Sequence, residues 1–244
     1  MKNRMIYILL AVFTAGVLSS CEKDFLCIEG IGPDVTDTLQ VDTFTGIRML
    51  GAEDVEISWG EEQLVVVTGH ENIINRIRTG VRNGVWDMEL EKGNYLNYNL
   101  KYFITLPRIN EITNEGASRV YVNDFTNEGD LEININGAGK ITLDRMENTE
   151  NMYVTIDGLG HVITMDEFPS LKYLDIYING AGDFLGFPAI TNECRIEIDG
   201  AAKCEVHVES KLEVYIDGTG TVSYRGDPSV YQEVSGLGRV EKQN

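Results

Sequence analysis

Several residue types are scarce in this 244-residue chain, which has 5 prolines, 3 histidines, 2 tryptophans and 4 cysteines. Its 20 Lys and Arg are outnumbered by 39 Asp and Glu. Few prolines leave long strands with their backbone donors intact. A formal charge of −19 repels phosphate backbones and acidic lipid surfaces, so no nucleic-acid partner is expected. His70, His161 and His207 stand alone, without the spacing that builds a zinc site. No Gly-x-Ser-x-Gly elbow and no papain-like cysteine context is present. The string Gly137-Ala-Gly139-Lys140 fails as a phosphate loop, since Ile141 replaces the required Ser or Thr. No catalytic residue and no cofactor is therefore expected.

What is present is 43% apolar residues, enough for a core, and 25 glycines. The first twenty residues read as an address. Lys2 and Arg4 precede an apolar run from Met5 to Leu18, and Leu18-Ser19-Ser20-Cys21 closes it. That run is shorter than the about 20 residues a membrane-spanning helix needs. The ending resembles the bacterial lipobox, in which the cysteine becomes the first mature residue and receives acyl chains. The resemblance implies a lipid anchor on Cys21, and several acyl chains bind a membrane far more firmly than the marginal single chain. Removal of residues 1–20 leaves 18 basic against 39 acidic residues, a net charge of −21. Cys21-Glu22-Lys23-Asp24 also resembles the acidic leader of surface-routed Bacteroidetes lipoproteins. The expected location is the bacterial outer membrane, lipid-anchored and facing the cell surface or the periplasm.

From residue 131 onward the chain repeats. Leu131-Glu-Ile133-Asn-Ile135-Asn136-Gly137-Ala-Gly139 returns from Met152 as Val154-Thr-Ile156-Asp157-Gly158-Leu-Gly160, and from Leu174 as Ile176-Tyr-Ile178-Asn179-Gly180-Ala-Gly182. It returns again as Ile196-Glu-Ile198-Asp199-Gly200-Ala-Ala202 and Val214-Tyr-Ile216-Asp217-Gly218-Thr-Gly220, with a degenerate copy at Glu233–Val240. The first glycines, from Gly137 to Gly236, are separated by 21, 22, 20, 18 and 18 residues. Alternation marks a strand with one buried face. Asn or Asp before Gly calls for a corner with positive φ, and the second glycine removes a Cβ where backbone passes closely. A hairpin series gives no reason for identical corners, whereas a solenoid stacks them about 4.8 Å apart. The expected fold is all-β: a parallel β-solenoid of 18–22 residues per repeat over 111–240, behind a β-rich portion at 34–110 and a tether at 21–33. In the β-rich portion, short strands are expected at Leu39–Leu50, Asp54–Trp59, Gln63–Gly69, Trp86–Glu91 and Leu100–Leu106, with Ile73–Ile77 ambiguous.

The repeat behind a lipobox, with Val55-Glu-Ile57-Ser-Trp-Gly60 as entry and Ile104-Thr-Leu106-Pro107 before the first Gly-Ala, resembles the head GIN domain family. These are Bacteroidetes proteins described as auto-transporter adhesins. The resemblance implies a β-helical fold and brings no catalytic residues.

The corner column Asn136, Asp157, Asn179, Asp199 and Asp217 reads first as side-chain-to-backbone bonding at turns. Two carboxylates one rung apart, Asp199 and Asp217, raise weak calcium binding as the alternative. Cys194 and Cys204 alternate inward and are expected in the core, with a disulfide across the corner left open. Outward positions would place Tyr153, Tyr177 and Tyr215 on one wall among acids and amides, a surface suited to sugars. The function expected is that of a non-enzymatic envelope lipoprotein, adhesin-like or binding a glycan or a cell-surface protein. The alternatives are a pectin-lyase-like carbohydrate-active β-helix and a structural or envelope-stress protein.

Overall fold

The computed structural model describes residues 27–244. The signal segment 1–20 and Cys21 lie outside the described residues, as do the first residues of the tether. The chain begins with β1 (Cys27–Glu29) and β2 (Asp34–Thr38), then β3 (Gly46–Met49), β4 (Asp54–Trp59) and β5 (Leu64–His70). One helical turn, α1 (Glu71–Ile74), follows; its Ile73 and Ile74 are buried. Next come β6 (Val81–Arg82), β7 (Val85–Met88), β8 (Asn94–Leu96), β9 (Lys101–Leu106), β10 (Glu111–Asn114) and β11 (Arg119–Val122). The repeats supply β12 (Phe125–Ile135), β13 (Lys140–Leu143), β14 (Met146–Gly158), β15 (His161–Thr164) and β16 (Tyr173–Gly180). The last elements are β17 (Asp183–Gly200), β18 (Lys203–Gly218), β19 (Thr221–Arg225), β20 (Ser229–Gly236) and β21 (Arg239–Lys242).

Pairing between repeats is parallel, and the molecule is a β-solenoid. One wall, the first, stacks β7, β3, β10, 131–135 of β12, 151–158 of β14, β16, 193–200 of β17, 211–218 of β18, and β20. The second wall stacks β9, β4, β11, β13, β15, the leading residues of β17 and β18, then β19 and β21. Repeating apolar positions fall in register, so Val154, Ile176, Ile196 and Val214 form one continuous interior column, each 2% exposed or less. Fully burying each such side chain contributes roughly 1.5–3 kcal/mol.

The parallel stacking does not start at residue 111. The pairs β3–β4 and β7–β9 are rungs of the same solenoid, and their spatial order is the reverse of their chain order: β10 lies against β3, and β3 against β7. The outer edge of β9 is covered by antiparallel β5, β5 by antiparallel β2, and β7 by the two residues of β6. Phe44, Trp86 and Tyr102 fill this end, with ring centroids 5.5 and 5.9 Å apart, and the Trp86 indole N–H donates to Arg78 O at 2.9 Å. Part of the tether is structured too, since β1 pairs in parallel with β8.

The corner differs from expectation in an instructive way. Positive φ falls on Gly158, Gly180, Gly200, Gly218 and Gly236, and not on the Asp, Asn or Ser before each. The corner is closed by backbone alone: Ala181 N–H donates to Gly158 O at 2.9 Å, Ala201 to Gly180 at 2.8 Å and Thr219 to Gly200 at 2.8 Å. A Cβ on Gly200 would stand 2.2 Å from that same Gly180 oxygen. The side chains of Asn136, Asp157, Asn179, Asp199 and Asp217 are instead exposed outside the corner, those from Asp157 onward paired in one register column. The second glycine varies from copy to copy: a Cβ at Gly182 would stand 2.5 Å from the Gly160 carbonyl oxygen and 2.6 Å from the Ile156 Cγ2 methyl, whereas at Gly220 the nearest atom is the Ile198 Cγ2 methyl at 2.9 Å. Ala202 is accommodated at the equivalent position, 3% exposed.

Cys194 and Cys204 are buried free thiols, with pKa values pushed upward chiefly by desolvation. Cys27 is exposed and free. A thiol reagent is expected to label Cys27 in the native protein and to reach Cys194 and Cys204 only after unfolding, as peptide mass mapping will read.

Candidate functional site

Outward positions of the first wall form columns. In one, Glu132, Tyr153, Asp175, Arg195, Glu213 and Tyr231 follow in register. In the next lie Asn134, Thr155, Tyr177, Glu197, Tyr215 and Glu233. Period-2 alternation turns these side chains out, and the repeat stacks them at the strand spacing.

The wall is a band of aromatic pairs around one arginine. Tyr153 meets Tyr173 at 6.2 Å between centroids, and Tyr215 meets Tyr231 at 5.9 Å. Between the pairs, Arg195 bridges Asp175 at 3.5 Å and Glu197 at 2.5 Å, and its guanidinium lies 5.3 Å from the centre of the Tyr215 ring. Such stacking positions a cation over the ring quadrupole. The Tyr177 hydroxyl donates to Asp199 Oδ2 at 3.2 Å, and the Tyr173 hydroxyl to Asp175 Oδ2 at 3.2 Å. Desolvation, with Asp175 nearby, pushes Tyr173 up to about 12. Tyr177 also lies above its ordinary value, through desolvation and the bond to Asp199. Both phenols thus stay protonated donors at neutral pH.

Tyr153, Tyr177 and Tyr215 therefore share one wall, and Glu197 separates Tyr177 from Tyr215 in their column. Sequence reasoning missed Tyr173, Tyr231 and the bridging role of Arg195. Tyr231 was within reach, since extending the degenerate last copy backward from Glu233 puts Tyr231 opposite Glu213. Tyr173 stands just before the repeated alternation, where no pattern marks it.

Asp199 and Asp217 are register neighbours at the exposed corner. Among the described residues no group of three His, Cys, Asp or Glu is placed to hold a metal ion. The second wall has a shallow recess of about 320 Å³ near the capped end, lined by Lys101, Asp54, Arg119, Lys140 and Tyr121 among others. Two of its cations are matched within the wall: Arg119 holds Asp54 through two bonds of 2.7 and 2.8 Å, and Lys101 lies 3.9 Å from Glu56. No helix among the described residues is long and apolar enough to cross a membrane.

Residues 43–228 match the family model described as "Putative auto-transporter adhesin, head GIN domain". The chain belongs to the head GIN domain family. Solved structures share the head GIN fold at low identity. A Bacteroides fragilis protein described as a "putative adhesin" superimposes with a TM-score of 0.80 at 18% identity, over 88% of this chain and 100% of that one. A Parabacteroides distasonis protein described as a "Putative lipid binding protein" gives 0.67 at 18% identity, over 90% and 100%. A Parabacteroides merdae "putative adhesin" gives 0.65 at 16% identity, over 89% and 99%. No curated protein matches the chain. The head GIN match covers the entry strand β4 and the solenoid rungs from β3 to β19.

Proposed function

We propose that this head GIN protein is a non-enzymatic adhesin-like lipoprotein, held on the outer membrane by acyl chains on Cys21, whose first wall contacts glycans. The observation that supports the contact surface most is the tyrosine band: two aromatic pairs, Tyr153 with Tyr173 and Tyr215 with Tyr231, flank Arg195. They span four rung steps, roughly 19 Å at the strand spacing. Tyrosine rings take the C–H faces of sugars, while carboxylates and a guanidinium take hydroxyls in pairs. The acids here are engaged in positioning. Asp175 and Glu197 hold Arg195, and Asp199 accepts from Tyr177, which speaks for binding rather than acid–base chemistry.

Two measurements test this reading. On a glycan array the chain is expected to bind a defined set of sugars, and Tyr177→Ala with Tyr215→Ala is expected to weaken that binding about tenfold or more, each ring being worth about 1 kcal/mol or more. Unsaturated sugars released from polyuronides by the purified chain would contradict the non-enzymatic reading. Separately, cells fed labelled fatty acid are expected to incorporate it into the chain and not into a Cys21→Ala variant; unlabelled wild-type chain would remove the anchor.

A further inference from the structure

The second-glycine position of the corner changes character toward the capped end. One backbone ladder runs through it: His161 N–H donates to Gly139 O at 3.0 Å, Lys140 to Ser118 at 3.0 Å and Arg119 to Glu53 at 2.9 Å. Glycine in the later rungs thus gives way to Ser118 and then to Glu53. Asn114 likewise stands in register with Ile135 of the next rung. Ser118 links the three polar residues, for its Oγ donates to Glu53 Oε2 at 2.6 Å and its carbonyl accepts from Asn114 Nδ2 at 2.8 Å. Asn114 and Ser118 are fully buried, and Glu53 is only 8% exposed.

A carboxylate this buried is normally met by a cation or by several hydrogen bonds, because taking it out of water is costly. Among the described residues Glu53 has no cation, and the Ser118 hydroxyl fills one of the about four acceptor sites of its two oxygens. The carboxylate packs against Gly51, where a Cβ would stand 2.4 Å from Oε1. Glu53 and Tyr98 together line two recesses, one of about 180 Å³ beside Ala52 and Leu100, the other of about 250 Å³ beside Leu50, Lys92 and Tyr95. Each is smaller than the roughly 300–1,000 Å³ of a drug-sized pocket, so the corner has room for one small head group. Tyr95 and Tyr98 meet edge to face, 5.7 Å between centroids. Desolvation first, and then the charge of Glu53, raises Tyr98 above its ordinary value. The other acids of the larger recess already have partners, since Arg78 lies 3.0 Å from Glu89 and Arg76 3.5 Å from Glu91.

We infer that the Glu53 corner is a binding site for the primary ammonium group of a small organic molecule, an amino sugar or an alkyl amine. Three N–H donors on one charged centre match the acceptor sites that Ser118 leaves open. The rings of Tyr95 and Tyr98 attract a cation at short range and cover the carbon skeleton behind it. One carboxylate beside two rings suits an organic cation, whereas a calcium ion takes six to eight oxygens, and no three ligating groups converge here among the described residues. The buried cluster of Asn114, Ser118 and Glu53 serves the ligand rather than the fold, because the later rungs close the same corner with glycine and isoleucine. The site is separate from the tyrosine band of the first wall.

Titration of the full chain, labelled with carbon-13 at tyrosine and followed by NMR at about pH 6, where the amines are charged, tests the site. Glucosamine is expected to shift Tyr95 and Tyr98 with half-saturation at about 10 mM or below. N-acetylglucosamine, which keeps the ring and lacks the charge, is expected to leave them unmoved. Butylamine separates the two sources: binding about tenfold weaker than glucosamine marks an amino sugar, and binding as tight marks an alkyl amine. Glu53→Gln keeps an acceptor for Ser118 and is expected to weaken glucosamine about tenfold or more. Tyr98→Leu keeps the carboxylate and is expected to weaken it about fivefold, which holds the test open should Glu53→Gln fail to fold. Lys92→Ala removes a like charge from the rim and is expected to bind at least as tightly as wild type. Tyr95 and Tyr98 unmoved at about 100 mM glucosamine, equal binding of N-acetylglucosamine, a folded Glu53→Gln or Tyr98→Leu variant that binds like wild type, or weaker binding by Lys92→Ala would overturn the site. Shifts confined to Tyr153, Tyr177 or Tyr215 would overturn it too, and would leave the first-wall reading standing.

Discussion

Replacing Gly200 by alanine is expected to lower the unfolding free energy by about 3 kcal/mol, while the same change at Gly220 costs less than about 1 kcal/mol. The two glycines belong to one corner motif and differ by what surrounds them. At Gly200, φ is 141°, and the added Cβ would lie 2.2 Å from the Gly180 carbonyl oxygen. That oxygen is fixed, because it already accepts the Ala201 N–H at 2.8 Å. At Gly220 the nearest atom is the Ile198 Cγ2 methyl at 2.9 Å, the end of a side chain that can shift. Ala202 shows that the position takes a methyl group. Urea unfolding of both variants checks the contrast. Equal losses would mean that the first glycine is not set by the rung beneath it.

Truncating Ile196 to alanine is expected to cost about 2–5 kcal/mol. Ile196 is fully buried between Ile176 and Val214 in adjacent rungs, so the cavity is closed above and below and collapses poorly. In a stacked array each rung draws its stability from its neighbours. Hydrogen exchange should therefore rise at β16 and at 211–218 as well as at the mutated strand. Val230→Ala in the last rung removes a side chain already 38% exposed, and the expected loss in the monomer is below about 1 kcal/mol.

The contrast between these sites also explains what was legible in the sequence. Each repeat restates its strand and corner, so register, inward column and outward tyrosines follow once copies are aligned. Between residues 34 and 110 the pattern is written only once. Asp54–Trp59 emerges as a strand with those limits, but Leu39–Leu50 contracts to Gly46–Met49. Leu39 and Val41 pack on the core, Leu39 N–H donates to Val65 O at 2.9 Å at the end of the β2–β5 ladder, and the Gln63 side chain ties the segment down through Val41 O and Phe44 N. The ambiguous Ile73–Ile77 becomes the single turn of α1 followed by an Ile77–Leu90 bridge. The reversed spatial order of the first two rungs has no local sign, because it depends on pairing between segments 39 to 65 residues apart, such as Gly46 with Val85 and with Glu111. In the candidate site, the tyrosines were readable from alternation. Their pairing, and the clasp of Arg195 by Asp175 and Glu197, arises across rungs from neighbours that no single repeat contains.

The claim at the centre of this account is that adhesion is performed by the first wall. Its most direct test compares two variants in one binding experiment on the array sugars that the wild-type chain retains. The Tyr177→Ala, Tyr215→Ala double variant removes rings from the first wall, and Tyr121→Ala removes one from the recess of the second. The account predicts that binding falls about tenfold or more in the double variant and stays within about twofold of wild type in Tyr121→Ala. Full binding by the double variant together with loss in Tyr121→Ala would contradict it and move the contact surface to the second wall.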